Sequence, residues 1–296
     1  MDVTTPGNIG FASSGELEIE LYDSTNRGPV RGAQVSIYRA SDGEKIASYV
    51  SDGAGQIPDI RVETPLEYSL ESQAMGMPYG QYNIVVEAAG YETLELTNAE
   101  VLPQELSLQP VPLIPMGSMT GKTEEIVVPG NTLYVPGIPK IPETEVKPVT
   151  ETGEIVLSRV VIPEYIIVHD GTPSDAEAKN YYVTYPDYIK NVASSEIYAT
   201  WPEDTIRANV LAIMSFTLNR VYTEFYRNRG YDFTITSSTA FDHKWIPERN
   251  IYDTISVIVD ELFADYLSRP NVKQPILTQY CDGRQVQCPN WLTFLL

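Results

Sequence analysis

One stretch of the chain places a single carboxylate among small and aromatic residues, an arrangement that suits acid–base chemistry. Glu196 follows Ser194 and Ser195 and is the only acidic residue between Asp187 and Glu203. The neighbours that could shield it from water are Ile197, Tyr198 and Trp201. Removal from water raises the pKa of a carboxyl group, and a protonated glutamate can donate its proton to a glycosidic oxygen. The alternative is an ordinary surface or capping glutamate, since most glutamates in proteins are solvated.

The residues around Glu196 predict an α+β domain that would position it. Apolar residues alternate in three stretches that predict strands, residues 155–161, 164–169 and 231–236. A helix is predicted from Pro202 to about Phe225, and a second one over residues 251–267 with Asn250 as its cap. The residues directly before Glu196 are predicted to form only a short amphipathic turn.

Residues 15–115 predict an all-β sandwich, because short alternating segments are separated by turn residues. Leu17, Ile19 and Leu21 alternate with glutamates in the first of these segments. Residues 1–14 are predicted to form a flexible tail. The predicted fold is therefore multidomain, with an N-terminal all-β sandwich of the transthyretin/Ig-like type and a C-terminal α+β domain over residues 155–296.

Proline is concentrated between these two predicted domains. Nine of the 22 prolines lie between Val101 and Pro148. Proline lacks the amide donor that helix interiors and central strands need, so neither element is expected in this stretch. We therefore predict an extended, semi-rigid linker over residues 116–154, which serves either as a spacer or as a proline-motif ligand.

The charge balance excludes several kinds of partner. Forty acidic residues against 20 basic ones give a net charge of −20, which repels nucleic acids and anionic lipid surfaces. No apolar run reaches the ~20 residues of a membrane-spanning helix. The first residues lack the basic and apolar regions of a secretory signal peptide, so the sequence assigns no export route.

The N-terminal segment resembles the carboxypeptidase-regulatory-like, transthyretin-like β-sandwich. The residues that carry this resemblance are 32–37, 52–56 and 82–91. Many cell-surface accessory domains share this pattern. The resemblance implies a spacer or binding module rather than a catalytic domain.

The second half of the chain resembles the stage II sporulation protein D family, which includes the LytB amidase-enhancer proteins. That family shows a tyrosine-rich approach, a Val-Ala-small-small-Glu segment, a proline-containing aromatic or acidic stretch, and an alanine-rich helix. The corresponding residues here are 188–196, 201–203 and 206–212, and the strand and loop over residues 235–240 also fit. The family usually continues into a glycine- and histidine-rich segment and a final helix, so the domain that ends at Leu296 is expected to be C-terminally truncated.

The resemblance implies a peptidoglycan lytic transglycosylase of sporulation or cell-wall remodelling, located in the cell wall or spore envelope. In this family one glutamate protonates the bond between MurNAc and GlcNAc and then helps the MurNAc 6-hydroxyl attack C1. Carried over to this chain, the catalytic residue is Glu196. The candidate substrate-binding residues are Tyr188, Ser195 and Trp201. The alternative is a non-catalytic protein that binds glycan in the cell wall or at the spore surface.

A metal site is a further expectation that the resemblance raises. Some members of the family hold zinc with one histidine and two cysteines, and the candidates here are His243, Cys281 and Cys288. The two cysteines are seven positions apart, which is compatible with a disulfide, with free thiols or with a metal site, so no cofactor is assigned. His169 follows a predicted strand and is expected to be structural.

Overall fold

A computed structural model describes residues 13–66, 77–117, 124–131, 156–281 and 292–293. The chain divides into two compact units, each built from two stretches of the sequence. The first unit contains residues 1–130 and 247–254, and the second contains residues 131–246 and 255–296. The described residues form mostly β-structure in several sheets, together with three α-helices. None of these described helices has the length and apolar character that crossing a membrane requires.

Strands outnumber helices in the described residues. In chain order the strands are β1 (Ser13–Asp23), β2 (Gln34–Arg39), β3 (Lys45–Val50), β4 (Gln56–Thr64), β5 (Gly80–Glu87), β6 (Leu94–Val101), β7 (Leu106–Leu113), β8 (Glu124–Val127), β9 (Tyr165–His169), β10 (Asn180–Thr184), β11 (Ile235–Thr236), β12 (Ile251–Tyr252), β13 (Tyr280–Cys281) and β14 (Leu292–Thr293). The helices are α1 (Tyr185–Glu196), α2 (Glu203–Tyr222) and α3 (Asp253–Leu262), with a 3-10 turn at Arg227–Arg229.

The first unit packs two sheets around one apolar core. One sheet has the strand order β12-β7-β1-β4, and the other has the order β3-β2-β5-β6-β8. Leu17, Ile19 and Leu21 of β1 are fully buried in this core, so the predicted alternation of the first strand is confirmed. Full burial of one such side chain stabilises a fold by about 1.5–3 kcal/mol relative to leaving it exposed.

Strand β7 carries Pro110 and Pro112 although it has neighbours on both sides, so the expectation of no central strand in the proline-rich stretch is wrong. The carbonyl of Leu113 accepts a hydrogen bond from the N–H of Ser24, so the odd-numbered residues of β7 point their backbone N–H and C=O groups toward β1. The even-numbered residues, which include both prolines, point their backbone groups toward β12. Strand β12 pairs only with residues 107–108, so no ladder partner needs an amide from either proline.

Part of the predicted linker belongs to the first unit. Strand β8 lies parallel to β6, with Ile126 paired to Leu96, and Ile126 packs against the core. Residues 124–127 therefore form a paired strand within the sheet, where the proline-rich sequence predicted an unpaired, extended linker. The rest of the predicted linker, residues 118–123 and 132–154, lies outside the described residues.

Residues 247–254, which we call the returning segment, add strand β12 to the first unit. This strand pairs in antiparallel register with Ser107 and Leu108 of β7. The helix predicted from residue 251 therefore starts two residues later, and it covers Asp253–Leu262. A short apolar run ahead of a helix reads equally well as strand or helix, which is why periodicity placed this boundary too early.

The returning segment also brings a buried ion pair to Glu100. Asn250, predicted as a helix cap, instead bonds the backbone of Glu100: its Oδ1 accepts from the Glu100 N–H at 3.2 Å and its Nδ2 donates to the Glu100 carbonyl at 2.8 Å. Arg249 Nη2 donates to Glu100 Oε2 at 3.2 Å, and both side chains are fully buried. The Tyr252 hydroxyl donates to the same carboxylate oxygen at 3.4 Å.

The second unit combines a three-stranded sheet, of order β10-β9-β11, with helices α1 and α2. The predictions of α2 and of β9 are confirmed by the observed bounds, Glu203–Tyr222 and Tyr165–His169. The strand predicted over residues 155–161 is wrong for the described residues 156–161, which form no strand. Of the strand predicted over residues 231–236, only Ile235 and Thr236 pair with β9.

Helix α1 takes the place of the short turn predicted before Glu196. Thr184 caps the helix, since its hydroxyl accepts a hydrogen bond from the N–H of Asp187 at 3.3 Å. Pro186 lies in the first turn, where the missing amide costs nothing. The end of the helix buries the polar residues 194–196, so hydrophobic periodicity could not reveal its full length.

Candidate functional site

Glu196 is the last residue of α1 and lies almost completely inside the second unit, with 4% of its surface exposed. The end of the helix is held by Asn131, whose side-chain amide donates to the carbonyls of Ser194 and Ile197, both at 3.3 Å. The C-terminal end of a helix dipole disfavours a nearby anion. A carboxylate at this place therefore needs hydrogen-bond donors from other elements.

Two donors from later parts of the chain meet the Glu196 carboxylate. The backbone N–H of Lys244 donates to Oε1 at 2.6 Å, and the hydroxyl of Tyr280 donates to Oε2. Asn191 of α1 holds the same loop as Lys244, because its Oδ1 accepts from the Ile246 N–H at 3.0 Å and its Nδ2 donates to the Ile246 carbonyl at 2.7 Å. Helix α1 therefore positions both the carboxylate and one of its donors.

One histidine and two tyrosines complete this cluster. The hydroxyl of Tyr188 lies 3.2 Å from His243 Nδ1, and the His243 ring stacks on Tyr280 with ring centroids 5.7 Å apart. Burial raises the pKa of Tyr188 well above 10, and the nearby carboxylates of Asp242 and Glu196 raise it further. Burial, followed by the charge of Glu196, does the same to the pKa of Tyr280. Both phenols therefore stay protonated near neutral pH and can donate hydrogen bonds.

The second carboxylate of this region, Asp242, is engaged in holding the fold. Its Oδ1 accepts from Arg220 Nε at 2.7 Å, in an ion pair whose two side chains are fully buried. Its Oδ2 accepts from the Tyr226 hydroxyl at 2.5 Å and from the N–H and hydroxyl of Thr236 at 2.9 and 2.7 Å. A buried pair of this kind costs about 3–5 kcal/mol to break, so Glu196 is the better candidate for proton transfer.

The predicted substrate-binding residues are all largely buried. Tyr188 is fully buried and belongs to the cluster around Glu196. Ser195 is also fully buried, and its hydroxyl donates to the carbonyl of Asn191 one turn earlier, at 2.8 Å. Trp201 is 9% exposed and packs edge-to-face against Tyr198, with ring centroids 6.1 Å apart. The structure thus brings Tyr188 to the carboxylate, whereas the Ser195 hydroxyl is directed to its own helix.

Tyr280 and Lys244 are the contacts of Glu196 that sequence reasoning missed. They lie 84 and 48 positions after Glu196. A backbone amide such as that of Lys244 leaves no mark in a side-chain pattern. One tyrosine among 20 also carries no signal unless a partner at that distance in the sequence is already known.

The candidate metal ligands are only partly covered by the described residues. His243 is fully buried, and its Nδ1 contacts the Tyr188 hydroxyl. Cys281 is described as the last residue of β13, and Cys288 lies outside the described residues. Within the part of the chain that the structure describes, no group of three or more His, Cys, Asp or Glu side chains is placed to hold a metal ion.

His169 joins β9 to its surroundings, in agreement with the structural role predicted for it. Its Nδ1 lies 2.8 Å from Asn180 Oδ1, and its ring stacks on Phe233 with centroids 4.4 Å apart. Asn180 Nδ2 in turn donates to Asp232 Oδ1 at 3.2 Å. These contacts tie the end of β9 to the start of β10 and to the loop before β11.

No model of a known protein family matches the sequence, and no curated protein matches it either. Among solved structures, the TIE protein of Bacillus anthracis has a TM-score of 0.26 and 18% identity, over 35% of this chain and only 18% of that protein. The 5-hydroxyisourate hydrolase of Klebsiella pneumoniae has a TM-score of 0.24 and 20% identity, over 35% of this chain and 92% of that one. Catechol 1,2-dioxygenase of Acinetobacter radioresistens has a TM-score of 0.25 and 13% identity, over 38% of this chain and 57% of that one. Similarities this low carry no argument about function.

Proposed function

We propose that the protein consists of a transthyretin-like β-sandwich and an α+β domain, and that the α+β domain cleaves peptidoglycan glycan strands. Glu196 acts on the bond between MurNAc and GlcNAc, first as an acid and then as a base. The observation that carries this proposal is the buried Glu196 carboxylate, held at the end of α1 by the Lys244 amide and the Tyr280 hydroxyl. The resemblance of residues 188–196 to the stage II sporulation protein D motif supports the choice of substrate.

The proposed reaction needs one carboxyl group and no water. Protonated Glu196 donates its proton to the glycosidic oxygen, so the bond from that oxygen to MurNAc C1 breaks and GlcNAc leaves as an alcohol. The resulting carboxylate accepts the proton of the MurNAc 6-hydroxyl, whose oxygen forms the new bond to C1. The product has a 1,6-anhydro end. The Lys244 N–H on Oε1 stabilises the carboxylate between the two steps, while Oε2 exchanges the proton with the glycan, and no second catalytic carboxylate is required.

The test compares wild type with Glu196→Gln on denuded glycan strands, with anhydro-muropeptides measured by mass spectrometry. We expect wild type to release the anhydro product and Glu196→Gln to release it at least about a hundredfold more slowly, since the amide cannot donate the proton. Glu203→Gln is the matched control, because Glu203 lies seven residues on, is 66% exposed and pairs with Arg207 at 2.8 Å. Equal release by wild type and Glu196→Gln removes Glu196 from the mechanism.

Glycan binding without cleavage is the second candidate function, and one observation favours it. Both oxygens of Glu196 accept hydrogen bonds from within the protein, and only 4% of the residue is exposed. A glycosidic oxygen must come within about 2.6–3.2 Å of the acid, so Tyr280 has to move aside for cleavage. Sedimentation with insoluble cell wall separates the two candidates: equal binding of wild type and Glu196→Gln without soluble product supports binding alone.

A further inference from the structure

A cavity of about 310 Å³ lies in the second unit. Its walls come from the segment before β9, from the end of α2 and from the residues before β11. Its aromatic lining consists of Tyr165, Phe225, Tyr226 and Phe233. Small-molecule sites have volumes from about 300 Å³ upward and combine mostly apolar walls with a few placed polar groups.

None of Glu196, Lys244 and Tyr280 lines the cavity. Tyr165 lines the cavity, and Val168 of the same strand has the opposite parity. Tyr181 is the register partner of Val168, and its ring contacts Trp245 with centroids 5.1 Å apart, beside the loop that donates to Glu196. Successive residues of a strand face opposite sides, so Tyr165 and Tyr181 project from opposite faces of the sheet. Arg220 and Tyr226 line the cavity and bond to Asp242, the neighbour of His243, so the cavity adjoins the Glu196 cluster without sharing a residue with it.

Three charged side chains line this cavity, and one of them, Arg220, is already held in the buried pair with Asp242. Glu224 and Arg227 both line it, and Arg227 Nε lies 3.5 Å from Glu224 Oε2. That separation exceeds a normal hydrogen bond, so the carboxylate and the guanidinium both retain capacity to bond a ligand. The Arg227 side chain is 56% exposed and that of Glu224 is 19% exposed, which leaves both within reach of a molecule in the cavity.

Glu224 occupies a backbone position at which glycine is the usual residue. Its φ is +45°, in the left-handed region that strains a side chain. It follows Thr223, the C-cap of α2, and its N–H donates to Val221 at 3.2 Å while the N–H of Phe225 donates to Arg220 at 3.2 Å. This is the hydrogen-bond pattern of a Schellman motif, whose left-handed residue is most often glycine. A strained glutamate that lines a cavity points to a role in holding a ligand.

From this geometry we infer that the cavity is a carbohydrate-binding site whose ligand is a neutral pyranose ring. Sugar hydroxyls both donate and accept, so neighbouring hydroxyls can donate to Glu224 and accept from Arg227. The C–H face of the ring packs on Tyr165, which is 50% exposed, whereas Phe225, Tyr226 and Phe233 are at most 7% exposed. An anionic ligand would be repelled by Glu224 and a cationic one by Arg227. The inference does not depend on cleavage by Glu196.

The test is titration calorimetry with tri-N-acetylchitotriose on the full chain carrying Glu196→Gln, so that cleavage cannot contribute. We expect saturable binding, which Glu224→Gln weakens by about tenfold or more because a charged acceptor is lost. Glu224→Gly is expected to weaken binding equally and to raise the Tm by about 2–4 °C, since the backbone strain is relieved. Asn271→Gly is the matched control, because Asn271 is another left-handed residue of the second unit, with φ +64°, that does not line the cavity.

Several results would overturn the inference. Absence of chitotriose binding does so, as does binding that neither Glu224 variant weakens. A lower Tm in Glu224→Gly also overturns it, because the carboxylate would then serve the fold. Stronger binding of the zwitterion D-alanyl-D-alanine than of chitotriose would reassign the cavity to a peptide end. Lack of glycan cleavage together with intact chitotriose binding overturns only the proposal for Glu196.

Discussion

The ion pair between Arg249 and Glu100 offers the sharpest test of how the first unit is held together. Both side chains are fully buried, with Arg249 Nη2 at 3.2 Å from Glu100 Oε2. Replacement of Arg249 by Met keeps the aliphatic volume and leaves a buried carboxylate without its cation, which costs about 3–5 kcal/mol. With a urea dependence of about 2 kcal/mol per M, a loss of about 4 kcal/mol lowers the unfolding midpoint by about 2 M.

The two units can be followed separately in this experiment. Trp201 and Trp245, the two tryptophans among the described residues, are buried in the second unit, so their fluorescence reports its unfolding. The part of the far-UV circular dichroism change that does not follow the fluorescence belongs to the first unit. We expect Arg249→Met to shift that part to lower urea.

Two controls separate burial from charge as such. Arg61→Met removes an exposed pair in the same unit, with Glu16 at 2.9 Å and side chains 77% and 43% exposed, and should cost less than about 1 kcal/mol. The double variant Glu100→Gln with Arg249→Met should lose less stability than the sum of its single changes. The reasoning fails if Arg249→Met lies within about 0.5 kcal/mol of wild type, or if Arg61→Met costs as much.

Two further predictions concern tyrosines. Tyr280→Phe removes the hydroxyl that donates to Glu196 Oε2 and should lower the free energy of unfolding of the second unit by about 1–3 kcal/mol, measured by tryptophan fluorescence in urea; an unchanged midpoint would contradict the hydrogen bond. Burial raises the pKa of Tyr82 to about 12, so between pH 10 and 12 the folded chain holds a proton that the unfolded chain releases, and the stability of the first unit falls as pH rises. In Tyr82→Phe, the stability of the first unit measured by circular dichroism should fall less steeply between pH 10 and 12 than in wild type. Equal pH dependence in the two proteins would refute the raised pKa of Tyr82.

Periodicity predicted β1 and α2. The alternation of Leu17, Ile19 and Leu21 identified β1, because this strand buries one regular set of side chains. The helical spacing of apolar residues from Ile206 onward identified α2, although the helix buries every residue from 212 to 220, polar ones included. The last turn of α1 buries serines and Glu196 instead, so its sequence showed no apolar face. Proline content wrongly predicted that residues 106–113 form no central strand. A proline destabilises a strand only where its missing N–H would have bonded to a neighbouring strand, and β12 does not pair with Pro110 or Pro112.

Contacts between distant residues were beyond sequence reasoning. Arg249 meets Glu100 across 149 positions, and Tyr280 meets Glu196 across 84. Each residue is unremarkable in its own neighbourhood, and a charge or a phenol gains its role only from the partner that the fold supplies. The sequence motif identified Glu196 as a candidate, whereas its hydrogen-bond donors, the Lys244 N–H and the Tyr280 hydroxyl, could be identified only from the structure.

The returning segment makes the order of synthesis matter for the first unit. Strand β12 and Arg249 are translated only after residues 131–246, so at about 5–20 residues per second the N-terminal strands wait on the order of ten seconds for them. During that interval β7 has an open edge, which is a template for association with other chains, and Glu100 lacks its ion pair with Arg249. A nascent chain that stalls before residue 254 would remain in this vulnerable state.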